Sequence, residues 1–145
     1  MIRLGNIVKE IYKSGNGYQQ AILTNNPTEL YFAERHEGAH VDILARMFPS
    51  ILTSAKEFEK AGYEDENEHG ENDALYAAAN SFCEKENIVR VVIDSGKFIF
   101  NTAHHRSLTN SQIKFVKNYC IENGLELIHS MGMKKKNIEL NEKHN

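Results

Sequence analysis

The chain has 145 residues, of which 41% are hydrophobic and 26% charged, and its formal net charge is −3. This length and composition suit one ordinary globular domain. The slightly negative charge gives no general attraction to nucleic acid or to anionic membranes, so neither is an expected partner. No apolar run approaches the ~20 residues that span a bilayer, and we expect a soluble cytoplasmic protein.

The first part of the chain predicts strands. YQQAILT, at residues 18–24, is a composition that strands favour. NIVKEIY, at residues 6–12, is ambiguous because its apolar residues would also form one stripe of a helix. The glycine-rich stretch SGNG at residues 14–17 lies between the two runs, so we favour a β-hairpin here.

The stretch HEGAH at residues 36–40 matches the zinc-peptidase pattern H-E-x-x-H. On a helix, His36 and His40 would lie one turn apart and could bind one zinc ion, and Glu37 would take a proton from zinc-bound water. NPTE at residues 26–29 is typical of a helix start and would place the motif in one long helix. The resemblance to the zincin metallopeptidases covers these five positions alone.

The alternative for this region is a strand followed by a turn. LYFAER at residues 30–35 is rich in aromatic residues, as strands are, and Gly38 would cost about 1 kcal/mol inside a helix. In this interpretation, which we favour, the helix begins at Ala39, and His36 and His40 do not share a face. We therefore predict no metal and no cofactor, with zinc as the alternative.

Three helices are predicted next. The apolar spacing from Val41 to Phe48 indicates an amphipathic helix over 39–48, which Pro49 stops. Further helices are predicted over 53–60 and over DALYAAANSFCEKE at residues 73–86. EDENEHGEND, at residues 64–73, holds six carboxylates and no aliphatic side chain, so it is predicted to be a solvated loop.

The last third of the chain has the clearest signals. Two β-branched and aromatic runs around Ser95-Gly96 predict a β-hairpin. In the following helix, Thr109 and Gln112 have the spacing of a capping box and Gly124 suits the position after the last turn. LELIHS at residues 125–130 predicts a last strand. We thus predict a single small α+β domain over 1–130, with antiparallel hairpins and three to four helices, and a flexible tail over 131–145.

The predicted ligand site lies at two helix starts. His104, His105 and Arg106 come just before the capped helix, where free N–H groups attract anions and Arg106 could add a bidentate phosphate contact. His40 and Asp42 lie at the other helix start. We predict these five residues as ligand-binding and assign no catalytic residue outside the zinc alternative.

One further resemblance covers about half the chain. Over residues 88–128 the order is a hairpin with Val89-Arg90-Val91, then LTNSQ, then a helix ending in Asn-Gly, and GAHVDILARMF at 38–48 has a similar character. This resembles small uncharacterised proteins of tailed phages and other mobile elements. The resemblance implies an accessory protein that binds a host component, and it implies no catalytic residue. We therefore predict a non-enzymatic module that binds a host protein or a small anionic, nucleotide-like ligand; the alternative is a zinc-dependent hydrolase.

Overall fold

The computed structural model describes residues 8–9, 18–32, 39–102, 107–131 and 133–140, and these contain seven strands and four helices. The strands are β1 (Val8–Lys9), β2 (Gln19–Leu23), β3 (Leu30–Phe32), β4 (Val89–Asp94), β5 (Lys97–Asn101), β6 (Glu126–Met131) and β7 (Lys134–Ile138). The helices are α1 (Ala39–Met47), α2 (Ser50–Lys60), α3 (Asp73–Glu86) and α4 (Asn110–Asn123). The predicted α+β class is confirmed.

The strands form one sheet in the order β1-β3-β2-β4-β5-β6-β7. All neighbouring pairs are antiparallel except β5 and β6, which are parallel. A parallel pair needs a crossover connection, and α4 supplies it. The carboxyl ends of β5 and β6 and the first turn of α4 therefore lie at the same end of the sheet.

Helices cover both faces of the sheet. Successive residues of a strand point to opposite faces, and in β2 Ala21, Ile22 and Leu23 are all fully buried. Ala21 and Leu23 belong to the core beneath α4, which includes Phe98. Ile22 belongs to the core formed with α1, α2 and α3. The central strands are thus buried on both sides, and α4 is separated from the other helices by the sheet.

The β4–β5 hairpin is confirmed, with Ser95-Gly96 as its two-residue turn. Both residues have positive φ, 50° and 77°. A turn with two positive φ angles matches the right-handed twist of the flanking strands, and glycine adopts this conformation without steric cost. The hairpin fixes β5 beside β4, so the end of β5 is set by local sequence.

The helix predictions are also confirmed. The amphipathic helix begins at Ala39, and α2 starts at Ser50, three residues earlier than expected. The helix α3 has the predicted bounds, and the acidic residues 64–71 before it are almost all exposed. The capping box of α4 is present: Gln112 N donates to Thr109 Oγ1 at 3.2 Å, and Thr109 N donates to Gln112 Oε1 at 3.0 Å.

Two predictions near the N-terminus need correction. The strand β2 forms as expected, but β1 pairs with β3, with Val8 opposite Phe32, so β1 and β2 are not hairpin neighbours. Residues 14–17 lie outside the described part of the chain. The helix start at 26–29 is wrong, because residues 25–27 form a bend and LYF of β3 follows, which is the strand interpretation that we favoured.

The flexible tail also needs correction. Lys134–Ile138 forms β7, which pairs antiparallel with β6, so β6 is not the last strand. Four of its five residues are exposed, as expected for an edge strand, and Ile138 packs on the core beneath α4. Residues 141–145 lie outside the described residues.

Candidate functional site

The ends of β5 and β6 bring His129 next to Thr102. His129 lies opposite Phe100 in the parallel register, and the two rings stack with centroids 4.5 Å apart and planes 9° apart. On its edge the imidazole meets Thr102, with 2.6 Å between Thr102 Oγ1 and His129 Nε2. Thr102 is buried, whereas His129 is partly exposed. The ring is thus held in one orientation by the phenyl ring and the hydroxyl group.

Lysine side chains lie beside this histidine. His129 is opposite Lys136 in the β6–β7 register, so both side chains leave the sheet on the same face, and Lys134 follows two residues away on that face. Burial lowers the pKa of His129, and the neighbouring ammonium group of Lys136 lowers it further. Lys135 is opposite Ser130 and points to the other face.

Gln112 anchors the start of α4 at the same end of the sheet, beside the end of β2. It is fully buried and its amide makes four hydrogen bonds. Its Oε1 accepts from Asn87 Nδ2 at 2.8 Å and from Thr109 N at 3.0 Å, and its Nε2 donates to Asn87 O at 2.7 Å and to Thr24 O at 3.2 Å. One side chain therefore joins the β2–β3 turn, the end of α3 and the start of α4.

The predicted residues His104, His105 and Arg106 lie outside the described part of the chain. The residues on either side of them have fixed partners. Thr102 bonds to His129, and Ser107 O accepts a hydrogen bond from Asn87 Nδ2 at 3.2 Å. The chain enters this segment after β5, beside His129, and leaves it beside Asn87 at the end of α3.

His40 and Asp42 do not form one site. His40 points into the sheet, where its Nε2 lies 3.0 Å from Val91 O. Burial lowers its pKa most, and Arg90 lowers it further, against the opposing effect of hydrogen bonds to Val91 and Ala21. Asp42, two residues along α1, is exposed. The helix of His40 and Asp42, α1, packs on the face of the sheet opposite α4.

The zinc alternative involves residues that are mostly outside the described part of the chain. His36 and Glu37 lie outside them, and the described ranges contain no group of three His, Cys, Asp or Glu side chains that could hold a metal ion. A carbonyl oxygen can only accept, so His40 Nε2 must carry the proton that Val91 O receives. Nε2 of His40 then has no lone pair to offer to zinc.

Comparison with known proteins adds no constraint, since no protein-family model, no curated protein and no solved structure matches this chain. Among the described helices, none is long and apolar enough to cross a bilayer.

Thr102, His129 and Lys136 were not among the predicted site residues. LELIHS is correctly predicted as a strand, but the partners of its histidine lie elsewhere in the chain. The lysine run was predicted to be part of a flexible tail. A usable signal existed: alternation along β6 places His129 on the same face as the buried Leu127, where an imidazole needs a polar partner.

Proposed function

We propose that this protein is a non-enzymatic binding module that holds a small anionic, nucleotide-like ligand where β5 and β6 end. The observation that carries the proposal is the placement of His129 beside Lys136 on one face of the sheet. The ammonium group of Lys136 disfavours the charged form of the imidazole opposite it. Among the described residues, neither side chain forms an ion pair with a carboxylate, so an anion from outside the chain would neutralise Lys136.

The surrounding groups suit such a ligand. Lys136 offers an ammonium group, and the Thr102–His129 pair keeps one O–H or N–H donor that the contact between them does not use. Arg106 belongs to the segment that connects β5 to α4 and would supply a bidentate contact. Binding rather than catalysis also agrees with the resemblance to phage accessory proteins.

Protection of a sheet edge is the competing explanation for the lysines. Exposed edge strands often carry lysine because charge prevents pairing with other chains. That role would be served equally by Lys134, Lys135 and Lys136, and it gives no reason for the contact between Thr102 and His129 beside Lys136. The ligand proposal instead separates Lys136 from Lys135, because the two point to opposite faces.

The proposal is tested by titrating the protein with inorganic phosphate and with AMP at low ionic strength, following amide chemical shifts by NMR. We expect changes concentrated at Thr102, His129 and Lys136. Lys136→Ala should weaken binding about fivefold, since a hydrogen bond to a charged group contributes at least about 1 kcal/mol. Arg106→Ala should weaken it similarly.

Lys135→Ala is the matched control, because it removes the same charge from the adjacent position on the opposite face. We expect this variant to bind as the wild type does. Equal weakening by Lys135→Ala and Lys136→Ala would show general attraction to a basic edge and reject a defined site. Unchanged spectra with both anions would also reject the small-ligand proposal.

A further inference from the structure

We infer that the preferred ligand group is a doubly charged tetrahedral oxyanion, such as a terminal phosphate, and that His129 takes up a proton when this group binds. The inference rests on the proposed function and names the ligand class of the same site. It makes His129 the residue that distinguishes a dianion from a monoanion, with Thr102 as the positioning residue for its ring.

The first step is the state of His129 without ligand. Partial burial and the neighbouring Lys136 both disfavour the charged imidazole. The short contact with Thr102 satisfies Nε2 in either protonation state, since a hydroxyl group can donate or accept. The ligand-free site therefore presents one full positive charge from Lys136 and a neutral imidazole near neutral pH.

The second step is the charge balance with ligand. A monoanion neutralises Lys136, and no net negative charge then remains to favour the protonated form of His129. A dianion placed between the two leaves one negative charge, and an opposite charge within about 4–6 Å of an ionisable group favours its charged form by one to three pKa units. Proton uptake by His129 then brings the pair to two positive charges, which match the dianion.

The third step concerns the other groups around His129. On β5 its neighbours are Phe100 and Thr102, which do not ionise in this range, and on β7 they are Lys136 and Lys134. The first turn of α4 contains no acidic side chain. Within the described ranges, no carboxylate is therefore placed to charge His129, and the ligand itself has to supply the negative charge.

The experiment measures the pKa of His129 by NMR, from its imidazole shifts, with and without sulfate. Sulfate keeps both negative charges throughout the range in which histidine titrates, so the pH dependence belongs to the protein. His129→Gln identifies the resonance. We expect saturating sulfate to raise the pKa of His129 by about one unit, which by linkage means about tenfold tighter binding to the protonated form. Singly charged perchlorate should leave it nearly unchanged.

The outcomes separate the two proposals. Sulfate that binds at Thr102 and Lys136 without moving the pKa of His129, or perchlorate that moves it equally, overturns this inference and leaves the binding site intact. No sulfate binding at any pH rejects the proposed function itself. Lys135→Ala should behave as the wild type in every titration, and a loss of the sulfate effect in this variant would also contradict the inference.

Discussion

Gln112 provides the sharpest test of what holds this end of the fold together. Replacing it with methionine keeps the side-chain volume close to that of glutamine and removes the amide. Four hydrogen bonds are lost, and at about 1 kcal/mol each the free energy of unfolding should fall by about 4 kcal/mol. This is a large fraction of the roughly 5–15 kcal/mol that stabilises a typical domain.

The assay is urea denaturation followed by circular dichroism at pH 7.5 and 25 °C. Ser111→Ala is the control, because Ser111 is the preceding, exposed residue of the same helix turn, and its change should stay within about 0.5 kcal/mol. A loss below about 1 kcal/mol for Gln112→Met would refute the reasoning, since water would then replace the amide and the three segments would not depend on it.

Gln112→Glu adds a pH signature to the same test. A carboxylate at this position would face the carbonyl oxygens of Asn87 and Thr24 in place of the amide N–H groups. Burial should raise the pKa of the new carboxyl group above its unfolded value. Stability should then be higher in acid and decrease as pH rises through the folded pKa, which the methionine variant should not show.

Three further predictions follow from other buried groups. Because the pKa of His40 is lowered in the fold, the free energy of unfolding of the wild type should be highest above pH 6.5, the pKa of an unfolded histidine, and should decrease as pH falls below it. His40→Gln should flatten this pH dependence and cost less than about 1 kcal/mol at pH 7.5. A variant whose stability depends on pH as the wild type does would contradict this prediction. Burial raises the pKa of Cys120 to about 12, and Cys83 is buried too, so neither thiol should react with an aromatic disulfide reagent until the protein is unfolded. Because His40 Nε2 donates to Val91 O, a chelator should leave the melting temperature unchanged, whereas stoichiometric zinc that disappears in His36→Ala would revive the hydrolase alternative.

Much of the fold could be predicted because its signals are local. The Ser95-Gly96 turn, the Thr109–Gln112 capping box and the end of α4 at Gly124 each depend on residues within a few positions of one another. The pairing of β1 with β3 could not be predicted in this way. A hairpin between adjacent strands is the usual choice for such a sequence, and here β3 lies between β1 and β2.

The candidate site was less predictable because its contacts join residues that are far apart in the sequence. The contact from His40 Nε2 to Val91 O joins residues 51 positions apart, and that from Thr102 to His129 joins residues 27 positions apart. Neither sequence separation belongs to a known motif that would identify the two residues as partners. The strand β7 could not be predicted from its lysine-rich sequence, because a charged edge strand has no alternating apolar pattern.

The position of β4 at the centre of the sheet has a consequence for the order of folding. Leu23 pairs with Val89, so joining β2 to β4 requires the chain between them, with α1, α2 and α3, to close as one long loop. The β4–β5–α4–β6 segment needs only short closures, which are faster. We expect this C-terminal half to fold first and the pairing of β2 with β4 to form late. The substitutions that slow folding should therefore lie mainly in the C-terminal half.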